Sequence, residues 1–190
     1  MQCNNILIIA IYFIVIQAYI TPAKAINTWS GIVSHVTDGD TLWIRPVEQN
    51  NDAKPRKIRI DGIDAPEFCQ LYGKQSMTAL KQFSNSKAVV VTRKRFDDYG
   101  REVSKISINK TDVGAWMVSQ GHAWSYHSKF SAGPYRIEEE SAQRAKLGLF
   151  ADASAIEPRI FRKEHGSCYS HQRSVGGNLT NQRFDRKRDK

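Results

Sequence analysis

The residues of this chain that could do chemistry begin with acids. Asp40 follows a tight-turn sequence, and Asp64 and Glu67 lie in the segment "DGIDAPEF", residues 61–68. Carboxylates this close in sequence repel one another unless a cation offsets them. Ca²⁺ and Mg²⁺ bind carboxylate oxygens together with water and phosphate oxygens, so Asp40 and Asp64 are candidate ligands of a hard dication. Taken alone, the two aspartates fit a turn residue and a strand-end cap better than a metal site.

Two arginines and a glutamate make the metal interpretation stronger. Arg59 precedes Asp64 by five residues, and Arg101 ends the turn sequence "DDYGR". A guanidinium group can donate two hydrogen bonds to phosphate oxygens, and Glu67 can take a proton from water. Together with a metal ion, these groups suit phosphodiester cleavage. On a regular strand Arg59 and Asp64 would lie on opposite faces. They can share a site only if the strand is broken between them, which Gly62 permits.

The elements that must position these residues are short strands and amphipathic helices. Asp38-Gly39 is a tight-turn signal between two strand-like runs, so these runs form a predicted hairpin. Helix boundaries are indicated by an Asp start, by a Pro in the first turn and by Gly after the end. The predicted strands are 28–36, 41–47, 56–63, 87–96 and 102–109, with a short extended piece at 122–127, and the predicted helices are 72–84, 112–121 and 134–148.

Five short strands, with a helix between the third and the fourth, predict a small closed β-barrel with helices packed on it. The fold class is therefore α+β, and the five-stranded OB-fold is the first candidate. Other five-stranded barrels remain open on this pattern alone.

Three motifs in order, "DGDTLWI", "RIDGIDAPE" and "DDYGRE", resemble the staphylococcal nuclease family over about residues 32–150. The resemblance implies an OB-fold and Ca²⁺-dependent cleavage of DNA and RNA at the 5′-O–P bond, leaving 3′-phosphates. It implies that Asp40 and Asp64 are calcium ligands, joined by the backbone carbonyl of Ala65 where the family often has threonine. The loop between Glu67 and Tyr72 is shorter than in the best-known member.

The resemblance also implies that Arg59, Glu67 and Arg101 form the catalytic set. Tyr99 and Tyr126 are predicted to contact the nucleotide, because exposed aromatic rings stack on bases. A net charge of +9 and a pI near 9.6 favour a polyanion partner such as DNA or RNA over solubility alone.

The two ends of the chain differ from its middle. An apolar run from Ile6 to Ile20, followed by Ala23-Lys24-Ala25, predicts a signal peptide over 1–25 and a secreted or periplasmic protein; an uncleaved membrane anchor is the alternative. The nuclease-like domain is predicted over 26–163, and a basic, flexible tail over 164–190.

Cleavage of the signal would leave two cysteines, Cys69 and Cys168, which could pair in an oxidising compartment or stay free. The sequence thus predicts a secreted, monomeric, calcium-dependent nuclease. The alternative is a non-catalytic OB-fold protein that binds nucleic acid, although a pure binder has no need for an acid such as Glu67 beside phosphate.

Overall fold

A computed structural model describes residues 27–47, 53–166 and 168 of the chain. The predicted signal peptide and most of the predicted tail lie outside the described residues. The described ranges hold eight strands, four helices and one 3₁₀ turn. The strands are β1 (Thr28–Asp38), β2 (Thr41–Pro46), β3 (Arg56–Ile60), β4 (Ile63–Asp64), β5 (Ala88–Phe96), β6 (Glu102–Ile108), β7 (Thr111–Asp112) and β8 (Trp124–Ser125). The helices are α1 (Gly73–Ser84), α2 (Val113–Ser119), α3 (Arg136–Arg144) and α4 (Pro158–His165), and the 3₁₀ turn is Gly148–Ala151.

Five of the strands close into a barrel, as predicted. The sheet runs β3-β2-β1-β5-β6, with β7 added beyond β6, and β3 pairs in parallel with β6 to complete the circle. Alternate side chains of each strand point inward, as the two-residue strand period requires. The barrel interior is apolar and includes Leu42, Ile44, Ile58, Ile60, Val91 and Ile106. The architecture is the OB-fold-like barrel with helices that the strand pattern indicated.

Helices α1 and α2 pack on the barrel and agree with the prediction to within two residues at each end, whereas α3 is shorter than predicted at both ends. This helix begins at Arg136 rather than at Pro134, because the N–H of Tyr135 donates to Ser125 Oγ at 3.0 Å and holds that segment against β8. It ends at Arg144, since Lys146 has a positive φ of 52° and cannot continue a right-handed helix.

Helix α4 was not predicted, and it carries the end of the described chain back to the barrel. It begins with Pro158 at its first position and ends at His165, past the predicted domain boundary at 163. Cys168, just beyond this helix, forms a disulfide with Cys69, so these two cysteines are paired rather than free. None of the helices in the described ranges is long and apolar enough to cross a membrane.

Candidate active site

A turn between β3 and β4 brings Arg59 and Asp64 to the same site. Strand β3 ends at Ile60, and Gly62 in the turn adopts a positive φ of 82°, which glycine tolerates without steric cost. A side chain at Gly62 would also collide with the ring of Pro134. The turn shifts the strand alternation, so Arg59 Nη2 lies 3.0 Å from Asp64 Oδ1. The strand break inferred from the sequence is present.

Arg59 joins the two candidate metal ligands. Its Nη1 lies 2.7 Å from Asp40 Oδ2 and 2.8 Å from Asp40 Oδ1, while Nη2 reaches Asp64. Both carboxylates are only 4% exposed, and a buried carboxylate is stable only when it is paired. Burial alone would raise the pKa of Asp40, but the charge of Arg59 and the hydrogen bond from Thr41 hold it below its usual range.

A third aspartate, Asp38, lies beside this pair and was not among the predicted site residues. Its Oδ1 accepts a hydrogen bond from the backbone N–H of Asp40 at 3.1 Å, and it lines the same cleft. Burial and the neighbouring charge of Asp40 raise the pKa of Asp38 to about 7. From the sequence, Asp38 is predicted only as a turn residue, although "DGD", with two acids separated by one glycine, indicates a second carboxylate near Asp40.

The donor atoms here fit a hard dication. Asp40 and Asp64 supply carboxylate oxygens, and the N–H of buried Ala65 donates to Asp40 Oδ2 at 3.3 Å, which places the Ala65 backbone beside them. Oxygen donors suit Ca²⁺ or Mg²⁺. Among the described residues no three His, Cys, Asp or Glu side chains are grouped to hold a metal. A cation here would therefore take further oxygens from backbone, water or substrate, as a cation that binds a phosphate does.

Glu67 is held by the short loop that follows it. Its N–H donates to Gln70 Oε1 at 3.1 Å, and its carbonyl accepts from the N–H of Gln70 at 2.8 Å. Gly73, the first residue of α1, packs so closely on the Glu67 carbonyl that a side chain there would overlap it. The loop between Glu67 and α1 is thus short because it is folded into hydrogen-bonded turns.

Arg162, on α4, also contacts the acids and was missed from the sequence. Its Nη1 lies 2.9 Å from Glu67 Oε1 and 3.1 Å from Asp64 Oδ1, and its Nη2 lies 2.9 Å from Asp64 Oδ2. No local motif marks this arginine. The available signal was the pair Cys69 and Cys168, because a bond to Cys69 would bring the chain near residue 168 close to Glu67.

The β5–β6 turn positions Arg101 and Tyr99. Asp97 Oδ1 accepts from the backbone N–H groups of Tyr99 and Arg101 at 3.0 and 2.8 Å, and Asp97 Oδ2 accepts from Arg101 Nε at 2.7 Å. Slight burial raises the pKa of Asp97, but these hydrogen bonds and the charge of Arg101 lower it overall. The guanidinium carbon of Arg101 lies 5.3 Å from the centre of the Tyr99 ring, a cation–π contact.

One cleft of about 680 Å³ gathers the predicted residues. The Tyr99 side chain is 84% exposed and Tyr126 is 47% exposed, so both rings are open to a ligand at the mouth of the cleft. Asp64 is not among the residues that line the cleft, but it contacts Arg59 and Arg162, which do. The predicted residues that line the cleft are Asp40, Arg59, Ala65, Glu67, Tyr99, Arg101 and Tyr126.

Comparisons with known proteins point to the same chemistry. Residues 57–152 match the family model described as staphylococcal nuclease homologue. The chain is 35% identical over 133 residues to an uncharacterised endonuclease of Haemophilus influenzae, covering 70% of this chain and 72% of that protein. It is 29% identical over 163 residues to a micrococcal nuclease of Shigella flexneri, covering 78% and 90%. The similarity to protein ParB of Escherichia coli is 33% over 146 residues, covering 70% and 79%.

Proposed function

Since this chain belongs to the staphylococcal nuclease family, we propose that it is a calcium-dependent nuclease that hydrolyses phosphodiester bonds of DNA and RNA. One observation carries the proposal. Arg59 ties the buried Asp40 and Asp64 together in the cleft that Glu67 and Arg101 also line. A metal-dependent nuclease needs oxygen ligands, a base and phosphate-binding cations within reach of one substrate group.

Asp40, Asp64 and the backbone of Ala65 would hold the metal. When bound, a calcium ion supplies positive charge to the phosphate and lowers the pKa of water. Glu67 acts as the general base and takes the proton of the attacking water. The new bond joins the water oxygen to phosphorus. The P–O5′ bond breaks, and the 5′ oxygen leaves with the bonding electron pair and takes a proton from solvent, which gives a 3′-phosphate and a 5′-hydroxyl.

Arg59 and Arg101 stabilise the charge that grows on the phosphate oxygens. A guanidinium presents five N–H donors in a rigid fork that matches phosphate geometry. Donors that are already oriented need no reorganisation during the reaction, so their stabilising effect is large. Asp97 orients Arg101, and the two aspartates orient Arg59.

Tyr99 and Tyr126 would bind the bases that flank the scissile phosphate. Stacking tolerates any base, because each base has a π-face, and is worth about 1–3 kcal/mol per base. The chain carries a net charge of +9, which attracts nucleic acid without regard to sequence. These features fit a nuclease of broad sequence tolerance.

The test is the activity of the purified chain on single-stranded DNA and on RNA, with Ca²⁺, with Mg²⁺ and with a chelator. Glu67→Gln removes the base while keeping the shape of the side chain. Glu164→Gln, an exposed acid on α4, is the matched control. End-group analysis of the products determines which P–O bond is cut.

We expect Ca²⁺-dependent cleavage that stops on chelation, falls by about 10²–10⁴-fold in Glu67→Gln and stays unchanged in Glu164→Gln. Nucleic-acid binding should survive in Glu67→Gln. Tight, salt-sensitive binding without cleavage under any metal would instead identify a binding module. Full activity of Glu67→Gln would remove Glu67 from the mechanism.

We also propose that the protein is exported and acts as a monomer. The apolar run from Ile6 to Ile20 and the site at Ala23-Lys24-Ala25 support cleavage after Ala25, and the Cys69–Cys168 bond fits an oxidising compartment. The mass of the exported chain distinguishes cleavage from an uncleaved anchor. Light scattering on the same sample measures the oligomeric state.

A further inference from the structure

Helix α4 lies beside the candidate active site, and its Arg162 lines the cleft and contacts the acids there. The guanidinium contacts both oxygens of Asp64 and also Glu67 Oε1, all at 2.9–3.1 Å. Asp64 is almost fully buried, whereas the Arg162 side chain is 29% exposed at the edge of the cleft. Arg162 therefore approaches Asp64 from the open side, from which a cation or a phosphate would arrive.

Both oxygens of the Asp64 carboxylate are used in this arrangement. Arg59 shares Asp64 Oδ1 with Arg162, and Arg162 also donates to Asp64 Oδ2 at 2.9 Å. A guanidinium group stays protonated in proteins, so Arg162 brings a full positive charge to these carboxylate oxygens. A dication that uses Asp64 as a ligand must meet this positive charge at the same oxygens.

We propose that Arg162 stands in for the metal: it neutralises Asp64 and Glu67 while no dication is bound, and it must release Asp64 when a dication binds. The inference rests on the proposed metal site at Asp40 and Asp64. It makes α4 part of the active site and makes Arg162 a residue that sets the metal affinity.

The anchoring of α4 explains why the competition is effective. Cys168 is bonded to Cys69, two residues after Glu67, and Gln70 Nε2 donates to the carbonyl of Ile156 at 2.7 Å. The helix is thus attached on both sides of Arg162 to the loop that carries Glu67. An attached group acts at a high effective concentration, so Arg162 competes as an intramolecular ligand.

The experiment is titration calorimetry of the whole purified chain with CaCl₂ and no nucleic acid. Arg162→Gln removes the competing charge, and Arg159→Gln on the same helix is the matched control. Nη2 of Arg159 lies 3.8 Å from Glu157 Oε2, at the start of α4, and the Arg159 side chain is 57% exposed. A thermal melt of each variant checks that the fold is kept.

We expect Arg162→Gln to bind Ca²⁺ about tenfold more tightly, because loss of one charge-assisted contact removes at least that much competition. Arg159→Gln should stay within about twofold of the parent, as expected for an exposed pair. Unchanged or weaker Ca²⁺ binding by folded Arg162→Gln overturns the inference while leaving the calcium-dependent function intact. Absence of Ca²⁺ binding in the parent and in every variant overturns both the inference about Arg162 and the proposed calcium dependence.

A second measurement keeps the inference testable if Arg162→Gln folds poorly. Reduction of the Cys69–Cys168 bond with a thiol frees α4, so the parent should then bind Ca²⁺ more tightly. Cys168→Ser should reproduce that gain without reductant. An affinity that does not change on reduction or in Cys168→Ser shows that Arg162 is not held in competition by the helix, and overturns the inference.

Discussion

Arg101 lies against Asp97, with its Nε 2.7 Å from Asp97 Oδ2 and its backbone N–H 2.8 Å from Asp97 Oδ1. One carboxylate thus fixes both the turn and the direction of the guanidinium. Because a transition-state donor must be oriented before the reaction, the position of Arg101 depends on this contact.

Asp97→Asn should lower kcat about tenfold, the effect of losing ~1.4 kcal/mol of transition-state stabilisation through a misplaced Arg101. The comparison is with Asp98→Asn, the exposed neighbour in the same turn. Steady-state kinetics on single-stranded DNA gives the result. Equal kcat values in the two variants would mean that Arg101 needs no orientation by Asp97.

Arg59→Lys should be costly although it keeps the charge. An ammonium is a compact point charge and cannot bond Asp40 and Asp64 together as the fork does. A buried carboxylate left without its partner costs about 1–3 kcal/mol in the free energy of unfolding. Urea unfolding with and without Ca²⁺ measures this cost, which should shrink when Ca²⁺ is present.

The control for that substitution is Arg45→Lys, an exposed arginine on β2, the strand paired with β3, which should change the unfolding free energy little. An Arg59→Lys variant with parental stability and turnover would show that the fork between the two aspartates has no role beyond its charge.

Tyr99→Ala should raise KM for single-stranded DNA, with a smaller change in kcat. Tyr99 is 84% exposed and lines the cleft, so its ring can stack on a base, a contact worth about 1–3 kcal/mol. Phe130→Ala is the control, since Phe130 is 92% exposed and is not among the residues that line the cleft. A fall in kcat with unchanged KM would show instead that Tyr99 acts by holding Arg101.

His122 should make the fold sensitive to mild acid. Its Nδ1 lies 3.0 Å from the hydroxyl oxygen of Tyr72, and burial lowers the pKa of His122. Below the unfolded-state value of about 6.5 the unfolded chain therefore binds more protons than the folded chain. This contribution to stability is complete above that pH and is lost as the pH falls through the folded-state pKa.

The check is the unfolding free energy at pH 7.5 and 5.5 for the parent, for His122→Gln and for His35→Gln, the exposed control. Asp38 contributes with the opposite sign, because its pKa is raised to about 7 and its stabilising effect fades as the pH rises through that value. The parent-minus-variant difference isolates His122. A difference that is the same at both pH values contradicts the prediction.

Loss of the Cys69–Cys168 bond should lower the free energy of unfolding by about 2–4 kcal/mol, since it closes a loop with a sequence separation of 99 residues. Urea unfolding of the double variant Cys69→Ser/Cys168→Ser measures this, and the thiol-reduced parent should match it. Identical curves for the oxidised and the reduced parent would show that the bond does not stabilise the fold.

Local sequence patterns were enough for most of the barrel. The strand period, the Asp38-Gly39 turn and the glycine between Arg59 and Asp64 are short-range features, so the chain order alone indicates them. The boundaries of α3 differ because a tertiary hydrogen bond from Tyr135 to Ser125 competes with the helix start. The motifs also indicated which charged and aromatic residues line one cleft, because these residues lie at strand ends and turns on one side of the barrel.

The sequence by itself therefore determined the barrel and the family, and it predicted the candidate set Asp40, Arg59, Asp64, Glu67 and Arg101, because short motifs at turns and strand ends mark each of these residues. Only the tertiary structure decided that the chain near Cys168 returns to Cys69 and that Arg162 lies on Asp64 and Glu67. Those contacts join residues more than 90 positions apart. No local period encodes them, since they form only when the closed barrel brings distant segments into the same space.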